Sequence, residues 1–224
     1  MSIKIDKRGR GRYKPTKDYD PIEVRQVLEQ KIKEETSTIV DLPDNEVKTN
    51  YNKAKANTIG LFCGAGGLDL GFELAGLDCT QGETTTNYSL KDRDIYNTVR
   101  SRSTINNIYA NDFCKVAVET YRNNFQSQVH CADIKRIKNF PKADLVLGGF
   151  PCPGFSSAGP RLIDDPRNFL YIHFIRCLMY VMPQIFVAEN VKGILSLGKG
   201  EVFNQIKQDF EAAGYRLYHK LVNS

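Results

Sequence analysis

From about residue 57 onward, short runs of consecutive apolar residues alternate with segments whose apolar residues recur every three or four positions. The runs predict buried β-strands, and the wider spacing predicts amphipathic helices. The predicted strands are 58–62, 107–112, 129–133, 143–149, 184–190 and 215–223. The predicted helices are 68–75, which we expect to end at Gly76, then 113–125, 168–182 and 200–214. This alternation predicts an α/β fold with a doubly wound, mostly parallel sheet, whose sites lie at the carboxyl ends of the strands.

The N-terminal quarter of the chain has a different pattern. The residues DPIE at 20–23 are typical of a helix start, because Asp caps backbone N–H groups and Pro suits the first helical turn. Apolar residues at helical spacing extend this helix to about Glu35, and the polar stretch 36–56 reads as a linker.

These patterns divide the chain into two regions. We expect residues 1–56 to form a basic arm, one helix and a linker, and residues 57–224 to form the α/β domain. A polar stretch without clear periodicity, at about 77–106, is predicted to be a surface insertion in that domain.

Composition fits a soluble domain with one asymmetry of charge. The 224 residues are 41% hydrophobic and 25% charged, enough to bury a substantial core. The net charge is +5, and the first twenty residues hold seven Lys or Arg against three Asp. Such an arm either binds nucleic-acid phosphates or is a solvated tail, and the sequence leaves both interpretations open.

Cysteine usage and hydropathy indicate the cellular compartment in which we expect the protein. Six cysteines occur without a CxxC pair, so neither a zinc or other metal site nor a disulfide framework is predicted. We find no signal peptide and no apolar run near ~18 residues. We therefore expect a cytoplasmic protein, without membrane contact, whose thiols are reduced.

Three glycines follow the first strand of the predicted domain and precede its first helix: Gly64, Gly66 and Gly67. A strand, a glycine turn and a helix let the backbone approach a nucleotide-like ligand. The segment departs from the dinucleotide fingerprint because Asp69 stands where its last glycine would be. It therefore favours a single nucleoside that carries an amino acid, and a plain tight turn is the alternative.

Carboxylates close the next two predicted strands. Asp112 is positioned to accept hydrogen bonds from ribose hydroxyls, and Asp133 to accept one from the exocyclic amine of adenine. Either residue alone is more often a helix cap. Together with the glycine turn, the two carboxylates favour an adenosine pocket.

Cys152 lies between two prolines after the fourth predicted strand, in GGFPCPGFS at 148–156. The prolines fix the backbone on both sides, which suits a rigidly held nucleophile. Glu189 ends the fifth predicted strand, so the two residues share one cleft if their strands are neighbours. We expect burial there to raise the pKa of Glu189 and keep a proton available for transfer. A buried structural cysteine and a capping Glu are the alternative.

Three ordered motifs resemble those of bacterial restriction-modification DNA (cytosine-5) methyltransferases: LFCGAGG at 61–67, the loop at 148–156, and AENV at 188–191. The resemblance spans residues 58 to about 222. It implies a Rossmann-like methyltransferase fold, S-adenosylmethionine as cofactor and double-stranded DNA as substrate. It also implies base flipping, by which such enzymes reach a cytosine inside a duplex.

The resemblance further implies the chemistry. The Cys152 thiolate adds to carbon 6 of cytosine while Glu189 protonates ring nitrogen 3, and carbon 5 then attacks the sulfonium methyl group. Loss of the carbon-5 proton expels the cysteine. Sulfur suits this role because it both adds and leaves well.

Other site residues are carried over by their position in the family's motifs. The implied cofactor contacts are Phe62, Gly64, Gly66, Gly67, Leu68, Asp112, Asp133, Ile134 and Leu170. The implied DNA-side residues are Pro151, Ser156, Arg167 and Asn190. Among these, Asn190 is expected to support the cysteine loop.

The chain also departs from the family. Pro153 stands where Gln is more usual, Gly60 where Asp is, and Asp112 where Glu is. We find neither the family's Gln-x-Arg-x-Arg stretch nor a target-recognition domain, so we expect a fold truncated before the final strands.

The predicted function is therefore that of a DNA (cytosine-5-)-methyltransferase, as the catalytic part of a split or truncated enzyme. We expect little or no activity without a second polypeptide that carries the arginine motif and the target-recognition domain. The alternatives are an inactive remnant that binds only cofactor or DNA, and a tRNA cytosine-5 methylase.

Overall fold

The computed structural model describes residues 4–5, 11–12, 20–37, 49–81, 98, 100–151 and 170–222. The chain divides into two compact units. The sheet unit comprises residues 40–149 and 180–188, and the helical unit comprises residues 1–39, 150–179 and 189–224.

A parallel sheet forms the sheet unit. Its strands are β3 (Ala56–Leu61), β4 (Ile105–Asp112), β5 (Gln128–Cys131), β6 (Leu145–Gly148) and β7 (Ile185–Ala188). Their order is β5-β4-β3-β6-β7, and every pairing between neighbours is parallel. The first five predicted strands are confirmed, with ends that shift by a few residues. Because the strand order reverses between β3 and β6, the carboxyl edge there is the expected ligand-binding position of a doubly wound sheet.

Two helices accompany this sheet, α2 (Gly67–Gln81) and α3 (Lys115–Asn124). Helix α3 buries Val118 and Tyr121 on one face, as its apolar spacing predicts. Cys63, Ala110, Phe125 and Val129 complete this buried cluster.

The prediction that the first helix of the domain ends at Gly76 is wrong. Helix α2 continues to Gln81, and Gly76 lies buried within it. A Cβ at this position would overlap the Ser103 hydroxyl and lie 3.1 Å from the backbone nitrogen of Ile105. The glycine therefore permits close approach of helix and loop, and does not end the helix.

The helical unit contains α1 (Pro21–Ser37), most of α4 (Leu170–Val181) and α5 (Glu201–Ala212). The predicted start of α1 is confirmed, since Asp20 Oδ1 accepts a hydrogen bond from Ile22 N at 3.0 Å. Val24 and Leu28 are buried, and α1 packs against α5. Residues 1–39 also contain a short antiparallel pair, β1 (Lys4–Ile5) and β2 (Gly11–Arg12).

The predicted strand at 215–223 is not formed. Residues 215–222 adopt neither helix nor strand, and within the described ranges no strand pairs with them. A strand requires a hydrogen-bonded neighbour, so apolar sequence alone does not form one.

The predicted insertion at 77–106 overlaps regular structure at both ends. Its first residues belong to α2 and its last to β4, while 82–97 and 99 lie outside the described residues. No helix in the described part of the chain has the length and apolar character needed to cross a membrane.

Candidate active site

The glycine turn after β3 has an unusual backbone. Phe62 has a φ of 53°, in the left-handed region, and Gly64 and Gly66 also have positive φ angles, of 54° and 95°. Such a conformation costs a bulky residue about 1–3 kcal/mol and is found mostly at functional sites. The turn is held by backbone bonds from Cys63 N to Asn111 O at 3.0 Å and from Gly66 N to Cys63 O at 2.8 Å.

Asp112 fixes this turn from the neighbouring strand. Its Oδ2 accepts a hydrogen bond from Gly64 N at 2.8 Å, and its Oδ1 accepts one from Cys114 N at 2.7 Å. Asp112 thus ties the glycine turn to the start of α3. Each carboxylate oxygen keeps a second lone pair, so these bonds are compatible with further donors such as ribose hydroxyls.

The glycines of the turn divide into two kinds. A Cβ at Gly66 would overlap the Phe125 ring, so this glycine is needed for packing. A Cβ at Gly64 or Gly67 would meet no atom within 4 Å. These two positions therefore leave open space beside the backbone, at the start of α2, as a nucleoside ligand requires.

Asp133 and Ile134 follow β5 at the same edge of the sheet. Asp133 Oδ1 accepts a hydrogen bond from Lys135 N at 3.0 Å and so caps a short 3-10 helix, Ile134–Arg136. Ile134 is buried, whereas Leu68 on α2 is half-buried. The capping role considered for Asp133 is present, and it engages only one of the two carboxylate oxygens.

An exposed aromatic residue next to Asp112 was not anticipated. Phe113 is 77% exposed although it directly follows a buried strand. A large apolar side chain at a ligand-binding edge can stack on a flat ring. Phe113 directly follows Asp112 at the end of β4. The sequence therefore already indicated an aromatic residue at this edge of the sheet.

A buried carboxylate beneath the turn was also missed. Asp69 is only 2% exposed, and its Oδ1 accepts a hydrogen bond of 2.5 Å from Asn107 Nδ2. Asn107 also donates to the Tyr121 hydroxyl at 2.8 Å. Burial raises the pKa of Asp69 to about 6. A Cβ at Gly60 would overlap this carboxylate, which explains why a larger residue is not accommodated at that position.

Two of the other cysteines are unsuited to nucleophilic chemistry. Burial raises the pKa of the Cys63 thiol, and the nearby carboxylates of Asp69 and Asp112 raise it further. Burial likewise raises the pKa of Cys177. Both side chains stay protonated near neutral pH, and the thiol form is a poor nucleophile.

The predicted nucleophile, Cys152, lies outside the described residues, as do Ser156 and Arg167. The chain that leads to it is described. Asn190 Nδ2 donates to Phe150 O at 3.2 Å, and Asn190 Oδ1 accepts from Val191 N at 2.9 Å. The bond to Phe150 is consistent with the predicted role of Asn190 as a support of the cysteine loop. That role stays a prediction.

The strands before Cys152 and Glu189 are neighbours. β6 and β7 pair in parallel, with Gly148 opposite Ala188, so Glu189 is the first residue after β7. Pro151 is exposed. Leu170, which is half-buried, begins α4 in the helical unit, whereas the other predicted cofactor contacts belong to the sheet unit.

The expected burial of Glu189 is not observed. Its side chain is exposed, and its neighbours on either side, Ala188 and Asn190, are exposed and half-buried. A residue at the end of an edge strand is open to solvent unless another segment or a bound base covers it. The described residues alone therefore do not supply the apolar surroundings that we expected.

A separate polar cavity of about 300 Å³ lies at the amino ends of β3 and β4. Lys55 and Arg100 line it together with several amide side chains. Arg100 forms an ion pair with Glu73 and donates to Asn124 O at 2.6 Å. The size of this cavity therefore does not make it the candidate active site. The candidate residues after the strands lie at the opposite, carboxyl edge of the sheet.

The parallel sheet, with a glycine turn held by Asp112 where its strand order reverses, defines a Rossmann-like fold. Within that class, the family model for C-5 cytosine-specific DNA methylases matches residues 56–224, and the chain belongs to this family.

Relatives match over the full chain. The chain is 55% identical over 230 residues to the type II methyltransferase M.BspRI of Lysinibacillus sphaericus. It is 54% identical over 229 residues to the type II methyltransferase M.BsuRI of Bacillus subtilis. All of this chain is covered in both matches, but only 54% and 52% of the relatives. The chain thus spans about half their length.

A solved structure supports the fold. The crystal structure of a prophage-encoded protein described as a DNA modification methyltransferase (E. coli) matches with a TM-score of 0.50 and 28% identity. The match covers 70% of this chain and 38% of that one.

Proposed function

We propose that this chain carries the S-adenosylmethionine site and the nucleophile of a DNA cytosine-5 methyltransferase. The observation that carries the proposal is the set of strand ends. The glycine turn, Asp112, the Cys152 loop and Glu189 follow β3, β4, β6 and β7, which are consecutive in the sheet. Family membership of residues 56–224 supports the same chemistry.

The cofactor-side residues have separable roles in this proposal. Asp112 accepts from ribose hydroxyls while it holds the turn through Gly64 N. Phe62 and the exposed Phe113 contact the adenine ring, and Asp133 accepts from its amine. Gly64 and Gly67, where a Cβ would project into open space, admit the amino-acid end. When bound, S-adenosylmethionine supplies the methyl group as a sulfonium, a strong methyl donor.

The catalytic residues act on the cytosine. The Cys152 thiolate attacks carbon 6, and Glu189 holds and protonates ring nitrogen 3, so that carbon 5 gains nucleophilic character. Carbon 5 would accept the methyl group that the sulfonium supplies. Loss of the carbon-5 proton to water then restores the double bond and releases the sulfur. Asn190 donates to the carbonyl of Phe150, two residues before Cys152, and in this proposal it helps to position that cysteine.

The remaining parts of the enzyme are proposed to lie in sequence equivalent to the other half of the relatives, on a second polypeptide. That polypeptide would carry the arginine motif and the target-recognition domain. It would also cover Glu189, whose exposure leaves its ring-nitrogen contact open to water.

The experiment has two readouts on the same protein. Equilibrium binding of S-adenosylmethionine to this chain is measured first, and Asp112→Asn is expected to weaken it about tenfold or more, since hydrogen bonds to charged groups contribute about 1.5–3 kcal/mol. Transfer of labelled methyl to mixed-sequence duplex DNA is then measured with and without the second polypeptide. Transfer is expected only with it, and Cys152→Ala is expected to abolish it.

Exposed Glu119 on α3 provides the control, because Glu119→Gln makes the same kind of change, carboxylate to amide, at a side chain that faces solvent. Equal weakening by both substitutions would contradict the role of Asp112. Binding without transfer under every pairing would support the inactive remnant, and preferential transfer to tRNA would support the tRNA methylase. Transfer by the chain alone would disprove the need for a second polypeptide.

A further inference from the structure

Asn111 is a buried polar residue to which the proposed chemistry gives no role. It is 1% exposed and lies in β4, directly before Asp112. In the sheet it is opposite Leu61 of β3 on one side and opposite His130 of β5 on the other. The first of these strands leads into the glycine turn, and the second leads to Asp133. Asn111 therefore lies between the two sides of the proposed adenosine pocket.

The backbone and the side chain of Asn111 contact different sides of that pocket. Its backbone O accepts from Cys63 N at 3.0 Å, which holds the glycine turn. Its side-chain Nδ2 donates to His130 O at 3.1 Å and to Ala132 O at 2.8 Å. A primary amide has two N–H donors, so both are engaged. A substitution of this side chain therefore removes the contacts to the β5 side and keeps the carbonyl group that holds the turn.

The contact to Ala132 fixes the backbone that leads to Asp133. Ala132 N donates to Asp112 O at 3.1 Å, and Ala132 O accepts from Asn111, so both backbone groups of Ala132 are held by the end of β4. The carbonyl group of Ala132 belongs to the planar peptide unit that continues to the Cα of Asp133. Asn111 thus fixes the plane from which Asp133 projects.

The Asp133 carboxylate has one oxygen engaged and one open. Its side chain is half-buried, and Oδ1 accepts from Lys135 N at 3.0 Å. Among the described residues, Oδ2 accepts no hydrogen bond. A hydrogen bond to an ionised acceptor is strong but depends on direction, so the orientation of Asp133 determines how well Oδ2 accepts from a ligand. Adenine differs from unsubstituted purine by one such donor, the amino group at carbon 6.

We propose that Asn111 is a positioning residue for the selection of adenine. Its side-chain amide holds the peptide between Ala132 and Asp133, so that the open carboxylate oxygen of Asp133 is directed at the base. This inference rests on the proposed function, because it assigns the base specificity of the same cofactor site. A site built to hydrogen-bond one ligand group rejects an analogue that lacks the group. Asn111 itself touches neither the cofactor nor the reacting atoms.

The test compares two ligands of the full chain by isothermal titration calorimetry. One is the demethylated cofactor, S-adenosylhomocysteine, and the other is its counterpart with unsubstituted purine as the base. The unaltered chain is expected to bind the adenosine compound at least about tenfold more tightly, and Asn111→Ser to reduce that ratio to about threefold or less, because a hydrogen bond to a charged group contributes about that much. Asn111→Thr is closer to Asn in size and suits a strand, and the same reduction is expected for it.

Asn57→Ser is the matched control. Asn57 is also fully buried, and its Nδ2 donates to Asn52 O at 2.9 Å and to Lys55 O at 3.0 Å, near the start of β3. This variant is expected to lose stability as Asn111→Ser does, since both leave carbonyl groups without a donor. It is expected to keep the preference for adenine. Urea unfolding of each variant defines conditions in which all of them are folded for the binding measurements.

A double-mutant cycle with Asp133→Ala separates positioning from a general loss of structure. Asp133→Ala is expected to remove the preference for adenine, and Asn111→Ser is then expected to remove nothing further. The inference is overturned by a preference that survives in both Asn111 variants, by an equal reduction in Asn57→Ser, or by additive effects in the cycle. Failure of the proposed function is distinguishable, because the unaltered chain would then bind neither compound.

Discussion

Single residues hold the glycine turn in a conformation that the chain does not prefer. Phe62 adopts a positive φ, and Asp112 compensates by accepting from Gly64 N and from Cys114 N. Strain of this kind persists only where surrounding contacts determine the backbone. The turn is therefore built before a ligand binds, which lowers the entropic cost of binding.

Asp69 gives a residue-scale prediction about pH. Burial raises its pKa from an ordinary value of 3.8 to about 6, so the folded protein holds this proton more tightly than the unfolded chain. The stability that depends on protonated Asp69 is fully present below about pH 4 and is lost as the pH rises through about 6. This loss in the free energy of unfolding is on the order of 1–3 kcal/mol, and Asp69→Asn is expected to remove it. Urea denaturation at several pH values measures it.

The same experiment needs two comparisons. Burial also raises the pKa of Glu73 and of Asp209, so the unaltered protein and Asp69→Asn should both retain some decline in stability with rising pH. Glu119→Gln, which replaces an exposed carboxylate of α3, is the second comparison. A profile for Asp69→Asn that parallels the unaltered protein between about pH 4 and pH 7 would show that Asp69 is not the group responsible.

At the scale of elements, helix α2 contains two internal glycines with opposite requirements. Gly71 is exposed, and a Cβ there would meet nothing within 4 Å. Gly76 is buried, and a Cβ there would overlap the Ser103 hydroxyl and crowd Ile105 N. The same substitution therefore has a different sign at the two positions of one helix.

We expect Gly71→Ala to stabilise the protein by about 0.5–1 kcal/mol, the usual difference between Gly and Ala in a helix. Gly76→Ala should instead destabilise it by about 1–3 kcal/mol, since overpacking forces neighbouring backbone to shift. Thermal or urea unfolding of the two variants measures both effects. Stabilisation by Gly76→Ala would mean that helix and loop are less closely packed than the structure shows.

At the scale of the whole molecule, the β7 edge of the sheet has the properties of an incomplete interface. The sequence of β7 is wholly apolar, yet Ile185 is 62% exposed, as are large parts of Tyr180 and Met182. In the described residues β7 is hydrogen-bonded on one side only, to β6. Exposed apolar edge strands are normally covered or paired.

We therefore expect the proposed second polypeptide to cover this edge. Ile185→Lys should change the unfolding free energy of the isolated chain by no more than about 0.5 kcal/mol, as is usual for exposed positions. It should also prevent activation by the second polypeptide in the methyl-transfer assay. Val27→Lys makes the same change at an exposed position on α1 and should permit activation. Normal activation of Ile185→Lys would locate the interface elsewhere.

Much of this architecture could be predicted from local sequence, for identifiable reasons. Short apolar runs bounded by glycines, as at the end of β3 and in β6, favour buried strands. The residues DPIE at 20–23 satisfy the first turn of α1 locally. The candidate residues Asp112 and Asp133 were found because parallel strands bring their carboxyl ends to one edge. Each of these features depends on a few neighbouring residues or on one general rule.

What the sequence by itself determined is the alternation of strands and helices, the family of residues 56–224 and the identity of the chemical groups. Only the tertiary structure decided that α2 continues through Gly76, that residues 215–222 form no strand and that Glu189 is exposed. It also decided the burial of Asp69 and the exposure of Phe113. The physical reason is that packing, strand pairing and desolvation depend on residues distant in the chain, and no local pattern contains those neighbours.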